Sequence, residues 1–270
     1  MFKAVVSDLD GTLLNAEHKV SDFTRETVEL LLKKGIKFYI ATGRNYLGAK
    51  EAMDELGVKV PLITSHGSVV FDENGNKIFA NNLKREYLDK VLNIDYKSFG
   101  KDIIITGYSG PNWFVTEDLR EYFYNKKPDR TRYPKQITPE EFKKNDFTKI
   151  FFLGENHDEL LELENEIKRI VGEENISLLF ANEGSLEVFP ANCDKAKAAE
   201  VVLKRDGLTL EDAVSFGDGL NDYELITETG LGFAMGNSIY LLLEKLTDTE
   251  VIESNAEDGM AKKLRELFDL

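Results

Sequence analysis

Two aspartates, Asp8 and Asp10, follow the first apolar run of the chain, residues 2–7, which has the length of a buried strand. In an extended chain, residues i and i+2 point to the same side, so their two carboxyl groups can converge on one point. Carboxylates that lie so close repel each other, and a hard cation relieves that repulsion. Gly11, the next residue, allows a sharp turn. The alternative is a pair of turn aspartates without a chemical role, and this motif alone does not decide.

A second group of oxygen ligands follows another apolar run, Ala213 to Phe216. It contains Asp218, Asn221 and Asp222, with two glycines among them. Taken alone, the segment is typical of a turn that ends in a helix cap. Together with the first pair, however, it places four aspartates at the ends of two predicted parallel strands, which favours an Mg²⁺ site. No spacing of histidines or cysteines offers a rival metal site.

Three further residues suit the oxygens of a phosphate group. Thr42 and Gly43 follow the strand-like run 36–41 and precede a helix, so a hydroxyl and backbone N–H groups are available there. A helix cap by Thr42 is the alternative. Lys195 stands at the start of a predicted helix, where its charge opposes the helix dipole and needs a compensating anion. A surface lysine is the alternative in this case.

The elements that position these residues alternate between strands and helices. Buried runs are predicted as strands, and glycines such as Gly35 and Gly57 end the helices between them. This order predicts an α/β fold with a largely parallel sheet and a hairpin around Asn74-Gly75. The carboxyl ends of parallel strands meet at one edge of a sheet, where ligands bind. The predicted strands are 2–7, 36–41, 60–64, 213–216, 231–234 and 250–252, and the predicted helices are 24–34 and 47–56.

The middle of the chain contains another alternation, which could continue the same sheet or form a separate domain. Helices are predicted over 84–92, 117–124 and 158–171, and strands over 102–106, 149–153, 176–180 and 186–189. No repeat or long linker interrupts it.

Composition excludes several classes of protein. With 270 residues, 42% hydrophobic and 31% charged, the chain is expected to fold as one or two soluble domains. A net charge of -15 argues against nucleic acid or an anionic membrane as the partner. The single cysteine, Cys193, cannot form an intramolecular disulfide, and we therefore expect a cytoplasmic protein. No apolar run approaches the roughly 20 residues of a membrane span.

Taken in order, these residues resemble the haloacid dehalogenase (HAD) superfamily of phosphohydrolases. Its four motifs match Asp8 to Thr12, Thr42, Lys195, and Gly217 to Asp222. The segments 234–237 and 257–261 are similar to the closing pattern of the Cof-type branch, which carries a class IIB cap. About 30 residues separate Asp10 from Thr42 and about 150 separate Thr42 from Lys195, and only the longer interval has room for a cap. The resemblance therefore implies a Rossmann-like HAD core, 1–82 and 189–270, with an inserted α/β cap domain, 83–188, that determines substrate specificity.

The resemblance also implies a chemistry and a role for each residue. Asp8 would attack phosphorus and form an aspartyl-phosphate, and Asp10 would act as general acid and then as general base. Mg²⁺ would be held by the side chains of Asp8 and Asp218 and the backbone carbonyl of Asp10. Asp222 would support these metal ligands by binding Lys195 or a metal-bound water. The phosphoryl oxygens would be held by Thr42, Gly43, Lys195 and Asn221.

The expected activity is an Mg²⁺-dependent phosphatase for small phosphorylated metabolites, in particular sugar phosphates. A phosphosugar mutase and a non-catalytic sensor of a phosphorylated metabolite are the alternatives. Two positions depart from the branch pattern. His66-Gly67-Ser68 replaces Asn-Gly-Ala, and we interpret His66 as a turn cap, with contact to the substrate as the alternative. Asp194-Lys195-Ala196 replaces Ser-Lys-Gly. Candidates for selecting the leaving group are Tyr108, Trp113, Tyr122, Arg130, Arg132 and Tyr133.

Overall fold

The computed structural model describes residues 2–110, 112–119 and 134–270, which divide between two compact units. Residues 1–80 and 194–270 form the first unit, and residues 81–193 form the second. The inserted unit thus begins at Asn81 and ends at Cys193, whereas the sequence suggested 83–188. It extends further because its last strand continues to Pro190.

The strands and helices are as follows. The strands are β1 (Ala4–Ser7), β2 (Lys37–Ala41), β3 (Leu62–Thr64), β4 (Val69–Phe71), β5 (Lys77–Ala80), β6 (Ile104–Ser109), β7 (Asn112–Val115), β8 (Lys135–Gln136), β9 (Lys149–Leu153), β10 (Ile176–Asn182), β11 (Ser185–Pro190), β12 (Ala213–Gly217), β13 (Leu231–Ala234) and β14 (Glu250–Val251). The α-helices are α1 (Asp22–Lys33), α2 (Tyr46–Leu56), α3 (Arg85–Leu92), α4 (Pro139–Lys143), α5 (His157–Val171), α6 (Lys195–Arg205), α7 (Tyr223–Glu228), α8 (Tyr240–Lys245) and α9 (Gly259–Phe268).

The first unit is built on one sheet with the strand order β14-β13-β12-β1-β2-β3-β4-β5. The strands from β14 to β3 are parallel, and β4 and β5 are antiparallel. β1 is buried along its whole length because it lies between β2 and β12 and both sheet faces are covered. Val5 packs into one apolar cluster, and Ala4 and Val6 pack into another. The prediction of an α/β fold with a mainly parallel sheet is confirmed.

Local signals set the helices that flank the site. Ser21 Oγ accepts a hydrogen bond from the Thr24 amide at the start of α1, and Asn45 Oδ1 accepts one from Gly48 at the start of α2. α2 ends at Gly57, whose φ of 78° lies in the left-handed region that glycine adopts without cost. Asp194 caps α6 by accepting from the Lys197 amide at 2.7 Å. This cap places Lys195 at the first position of α6, as the sequence predicted.

The inserted unit has a mostly antiparallel sheet with the order β10-β11-β9-β6-β7-β8. Its apolar core includes residues of α3 and α5. Among the described residues of this unit, the sequence did not predict the short elements β7, β8 and α4. α4 begins after Thr138, which forms a capping box with Glu141, and it is too short to show helical periodicity. Residues 117–119 are not helical, and the rest of that predicted helix, 120–124, lies outside the described residues. Within the described ranges, no helix is both long and apolar enough to cross a membrane.

Candidate active site

Two neighbouring parallel strands bring two aspartates to the same edge of the first unit's sheet. Ser7 in β1 pairs with Phe216 in β12, and the Asp8 amide donates to the Phe216 carbonyl at 3.0 Å. Asp8 follows β1 directly, and Asp218 follows β12 directly. The shared register therefore places both carboxylates at the carboxyl edge, the usual location of ligand sites in such sheets.

Gly11 lets the chain pass close to Asp218. Its φ is 80°, and a Cβ atom built on it would lie 2.2 Å from Asp218 Oδ2. A side chain at this position would be both strained and in collision with a candidate metal ligand.

We expect Gly11→Ala to lower the phosphatase activity that the resemblance implies by at least about 100-fold, because the new methyl group would displace the Asp218 carboxylate. Steady-state assays and thermal unfolding of the same preparation check this. Gly35→Ala is the matched control: Gly35 has the same φ of 80°, but nothing lies within 4 Å of the added Cβ. If the two variants lose activity equally, the effect comes from backbone strain and not from Asp218.

Lys195 lies between two buried carboxylates. Its side chain is 0% exposed, and Nζ lies 2.6 Å from Asp8 Oδ1 and 2.5 Å from Asp222 Oδ1. The alternative of a surface lysine is thereby excluded. The next lysine, Lys197, is instead 56% exposed and pairs with Asp194 at 2.8 Å. Asp194 thus serves the helix cap and Lys197, and Lys195 is left to the two aspartates.

Asp222 and Thr12 form the hydrogen bonds that hold Asp218 and its loop. Asp222 Oδ2 accepts from the amides of Asp218 at 3.1 Å and Gly219 at 3.0 Å, so both Asp222 oxygens are engaged. Thr12 Oγ1 donates to Asp218 Oδ1 at 2.9 Å. These bonds fix the Asp218 side chain and the loop that carries it. Asp222 is thus bonded both to Lys195 and to the loop that carries Asp218.

Burial and mutual repulsion perturb the carboxylates. The pKa of Asp8 is raised well above its ordinary value, first by burial and then by the charge of Asp222, although Lys195 opposes this. Burial and Asp222 also raise the pKa of Asp218 to about 6. Carboxylate oxygens of Asp8, Asp218 and Asp222 lie within 4.8 Å of one another. An all-oxygen cluster that is costly to ionise fits a hard divalent cation, which would relieve the repulsion.

The raised pKa of Asp218 predicts a metal-dependent pH effect on stability. Its folded pKa of about 6 exceeds its ordinary value of 3.8, so without metal the ionised folded form is penalised. Stability should then fall as pH rises through this interval. A divalent cation such as Mg²⁺ would bind the ionised form, so the rise in Tm that Mg²⁺ produces should be larger at about pH 7 than at about pH 5. Differential scanning fluorimetry in EDTA and in Mg²⁺ measures this. An equal Mg²⁺ effect at both pH values, or its persistence in Asp218→Asn, would contradict the prediction.

Asp10 lies apart from this convergence. Its carboxylate is paired with Arg44, whose Nε donates to Oδ2 at 2.7 Å and whose Nη2 donates to Oδ1. His18 Nδ1 lies 3.8 Å from Oδ1, and the Asp10 side chain is 43% exposed. The expectation that the Asp8 and Asp10 carboxyl groups meet at one point therefore does not describe this structure. The backbone changes direction between them, with ψ of 122° at Asp10 and φ of 80° at Gly11.

Arg44 is a residue to which the sequence argument gave no role. It directly follows Thr42 and Gly43, and its charge beside a phosphate-binding candidate was a signal that could have found it. Thr42 is buried, and its Oγ1 accepts from the Arg44 amide at 3.1 Å. Because Asn45 caps α2, the alternative of Thr42 as the helix cap is excluded.

The remaining phosphate candidates meet around His66. Asn221 Nδ2 lies 3.3 Å from His66 Nδ1, and the buried imidazole lies against Gly43. The sequence interpretation of His66 as a turn cap missed these contacts.

The closing segments of the chain support the same loops. Asn237 Nδ2 donates to the Gly11 carbonyl at 2.8 Å, and Asp258 Oδ1 accepts from Ser21 Oγ at 2.6 Å. These contacts connect the loop after β1 and the start of α1 to the C-terminal part of the first unit.

Known proteins match the chain over nearly its whole length. The family model of haloacid dehalogenase-like hydrolases matches residues 5–264. A protein of Buchnera aphidicola subsp. Baizongia pistaciae is 35% identical over 272 residues, 99% of each chain. A Yersinia pestis protein named HMP-PP phosphatase is 29% identical, over 98% of this chain and 94% of that one. The crystal structure of a HAD subclass IIB sugar phosphatase aligns with a TM-score of 0.82 at 22% identity, over 99% of this chain and 100% of that one.

The family model and the Buchnera relative confirm the resemblance that the four motifs indicated, and the solved structure confirms the fold. An enzyme rather than a binding module is therefore the correct class. The chain belongs to the haloacid dehalogenase-like hydrolases.

Proposed function

We propose that this hydrolase is an Mg²⁺-dependent phosphatase of small phosphorylated metabolites, sugar phosphates among them, that acts through an aspartyl-phosphate on Asp8. The observation that carries the proposal is the cluster of Asp8, Lys195, Asp222 and Asp218 at the strand ends. The name of the Yersinia relative, HMP-PP phosphatase, supports a small phosphorylated substrate.

Asp8 is the proposed nucleophile. Its carboxylate is held by Lys195 Nζ at Oδ1, which directs one oxygen to the lysine and leaves the other to approach phosphorus. Attack forms a bond between an Asp8 oxygen and phosphorus while the bond to the leaving oxygen breaks. Water then hydrolyses the aspartyl-phosphate and restores the carboxylate. Lys195 holds its positive charge throughout, since Asp222 and Asp8 raise its pKa despite its burial.

Asp10 is the proposed general acid and base. It would donate a proton to the leaving alkoxide and afterwards take one from the attacking water. Its partial exposure gives it access to both, and Arg44 holds both carboxylate oxygens in a fixed orientation. A bidentate guanidinium contact restricts the carboxylate more strongly than a single bond would.

Asp8 and Asp218, with the backbone carbonyl of Asp10, would hold the Mg²⁺. Asp222 would support these ligands without binding the metal directly. The bound cation would supply positive charge that offsets the charge of the phosphoryl oxygens. Thr42, Gly43, Lys195 and Asn221 would donate to those oxygens. This local arrangement would allow a chain with a net charge of -15 to bind an anionic substrate.

The inserted unit is proposed to select the leaving group. Its sheet carries an aromatic cluster in which Tyr108 packs against Trp113 and Phe151, with ring centroids 5.7 and 5.3 Å apart. Beside it, Lys149 and Glu187 form a buried ion pair at 2.9 Å. Rings together with a hydrogen-bonding pair suit a cyclic polar group such as a sugar. The other candidates, Tyr122, Arg130, Arg132 and Tyr133, lie outside the described residues.

Phosphate release from a panel of phosphomonoesters, with and without Mg²⁺, tests the proposal. We expect Mg²⁺-dependent release with a preference among small metabolites. Transfer of the phosphate back to the sugar instead of to water would identify a mutase. Binding of esters without turnover would identify a sensor. If neither release nor transfer occurs across a broad panel, the proposed function is wrong.

A further inference from the structure

His66 occupies an unusual position beside the phosphate-binding candidates. It lies between β3 and β4 and is buried, and its φ of 56° is in the left-handed region. The preceding residue, Ser65, is also left-handed, with a φ of 50°. Such conformations cost about 1–3 kcal/mol each for residues other than glycine and persist where the surroundings impose them. Two in succession indicate a loop that its neighbours hold in place.

Three of the segments that carry site residues meet at this loop. The His66 amide donates to the Thr42 carbonyl at 3.1 Å. Gly67 lies so close to the start of α6 that an added Cβ would be 2.3 Å from the Asp194 carbonyl oxygen. The imidazole reaches Asn221 on the third segment. The loop is therefore in contact with the neighbourhoods of Thr42, Lys195 and Asn221 together.

The imidazole itself fills the space above Gly43. A Cβ atom built on Gly43 would lie 2.5 Å from His66 Cε1 and 2.9 Å from Nε2. A side chain at position 43 and an imidazole at position 66 therefore exclude each other. The ring takes the place of a side chain there.

The structure gives the Asn221 carboxamide the orientation in which Nδ2 faces His66 Nδ1. An amide nitrogen donates and does not accept, so in this orientation Nδ1 accepts from Nδ2. An imidazole that accepts at Nδ1 is neutral and carries its proton on Nε2. The bond engages one N–H of the Asn221 carboxamide and leaves the second N–H available to another acceptor.

We propose that His66 is a positioning residue for phosphate binding: packed against Gly43, it orients the Asn221 carboxamide so that an N–H of that amide is presented to the anion. The proposal rests on the proposed function for the identity of that anion. The proposal predicts which kinetic constant should change. A donor that binds phosphoryl oxygens equally in the ground state and the transition state changes KM and leaves kcat unchanged.

The test compares two replacements of His66. Asparagine places an acceptor oxygen near the position of Nδ1 and tolerates a positive φ, whereas phenylalanine fills the space without an acceptor. With p-nitrophenyl phosphate and Mg²⁺, we expect His66→Phe to raise KM about tenfold, with kcat within about threefold of the wild type. His66→Asn should restore most of the KM. Isothermal calorimetry with inorganic phosphate should give the same order of affinities.

A double-mutant cycle separates positioning from general support of the fold. In an Asn221→Ala background, His66→Phe should raise KM by less than about twofold, because the residue that it positions is absent. Full additivity of the two effects would overturn the proposal. His157→Phe is the matched control: this imidazole also bonds through Nδ1, which donates to the Glu183 carbonyl at 2.9 Å, but it lies in the inserted unit.

Nitrogen NMR of the wild-type imidazoles covers the case in which His66→Phe does not fold. At about pH 7.5 the His66 ring should be the neutral Nε2–H form. The Nδ1–H form would overturn the inference. Failure of the wild type to hydrolyse esters while it still binds phosphate would refute the proposed function alone, since the binding arm continues to test His66. Failure to bind phosphate at all would overturn both.

Discussion

Asp8→Asn is expected to lower Mg²⁺-dependent phosphate release by at least about 10⁴-fold, since an amide cannot form the aspartyl-phosphate. The proposed nucleophile is the buried Asp8 carboxylate, which directly follows β1 and is held by Lys195 at 2.6 Å. KM should change far less than kcat, because the donors to the phosphoryl oxygens remain. Steady-state kinetics with a good substrate from the panel measures the effect.

The same variant should fold at least as stably as the wild type in EDTA. Burial and the charge of Asp222 raise the pKa of Asp8, so the ionised side chain is held at a cost when metal is absent. Asparagine removes that charge, and Lys195 retains its contact with Asp222. A functional residue of this kind often trades stability for activity. Thermal unfolding of both proteins in EDTA provides the comparison.

Asp212→Asn is the matched control for this replacement. Asp212 belongs to the same unit but pairs with Lys3 at 2.8 Å, at the other end of β12 from Asp218. Its loss should leave kcat unchanged. If Asp8→Asn retains more than about 1% of the wild-type kcat, a covalent intermediate on Asp8 is ruled out.

The sequence predicted the sheet because its signals are local. A buried parallel strand is a short continuous apolar run, as in β1, β12 and β13, and glycine after a helical pattern marks the end of the helix. The candidate residues could be located for the same reason. Asp8, Asp218 and Lys195 stand immediately after a strand or at the first turn of a helix.

Pairings between distant segments could not be predicted in this way. Nothing near Asp10 in the chain indicates that Arg44 holds it, and the parity of an extended strand no longer applies once Gly11 turns the backbone. The contact of His66 with Asn221 joins residues 155 positions apart. Such contacts depend on the register of the whole sheet, which single-sequence patterns do not specify.

Lys195→Met is expected to produce the largest loss of stability among single replacements at the site. Methionine fills a similar volume but leaves two buried carboxylates, Asp8 and Asp222, without their cation. Removing one partner of a buried ion pair costs about 3–5 kcal/mol of unfolding free energy. Phosphate release should also fall, because Lys195 is a proposed donor to the phosphoryl oxygens. Urea unfolding in EDTA measures the first effect.

Lys197, the exposed lysine two residues further along α6, supplies the control. Lys197→Met removes a surface pair with Asp194, and such pairs contribute about 0–1 kcal/mol. The replacement should therefore leave stability and turnover close to those of the wild type. If Lys195→Met is as stable as Lys197→Met in EDTA, the carboxylates are not held by the lysine charge.

Two further measurements on Lys195→Met connect its stability to the metal site. Lys195 lowers the pKa of Asp8, so its loss should raise that pKa further, and stability should then go on falling to a higher pH than in the wild type. Mg²⁺ should then raise the Tm of the variant more than that of the wild type, since the cation replaces the missing positive charge beside Asp8. An equal or smaller Mg²⁺ effect would mean that lysine and metal do not share the Asp8 carboxylate. The proposed division of the carboxylates between Lys195 and Mg²⁺ would then be wrong.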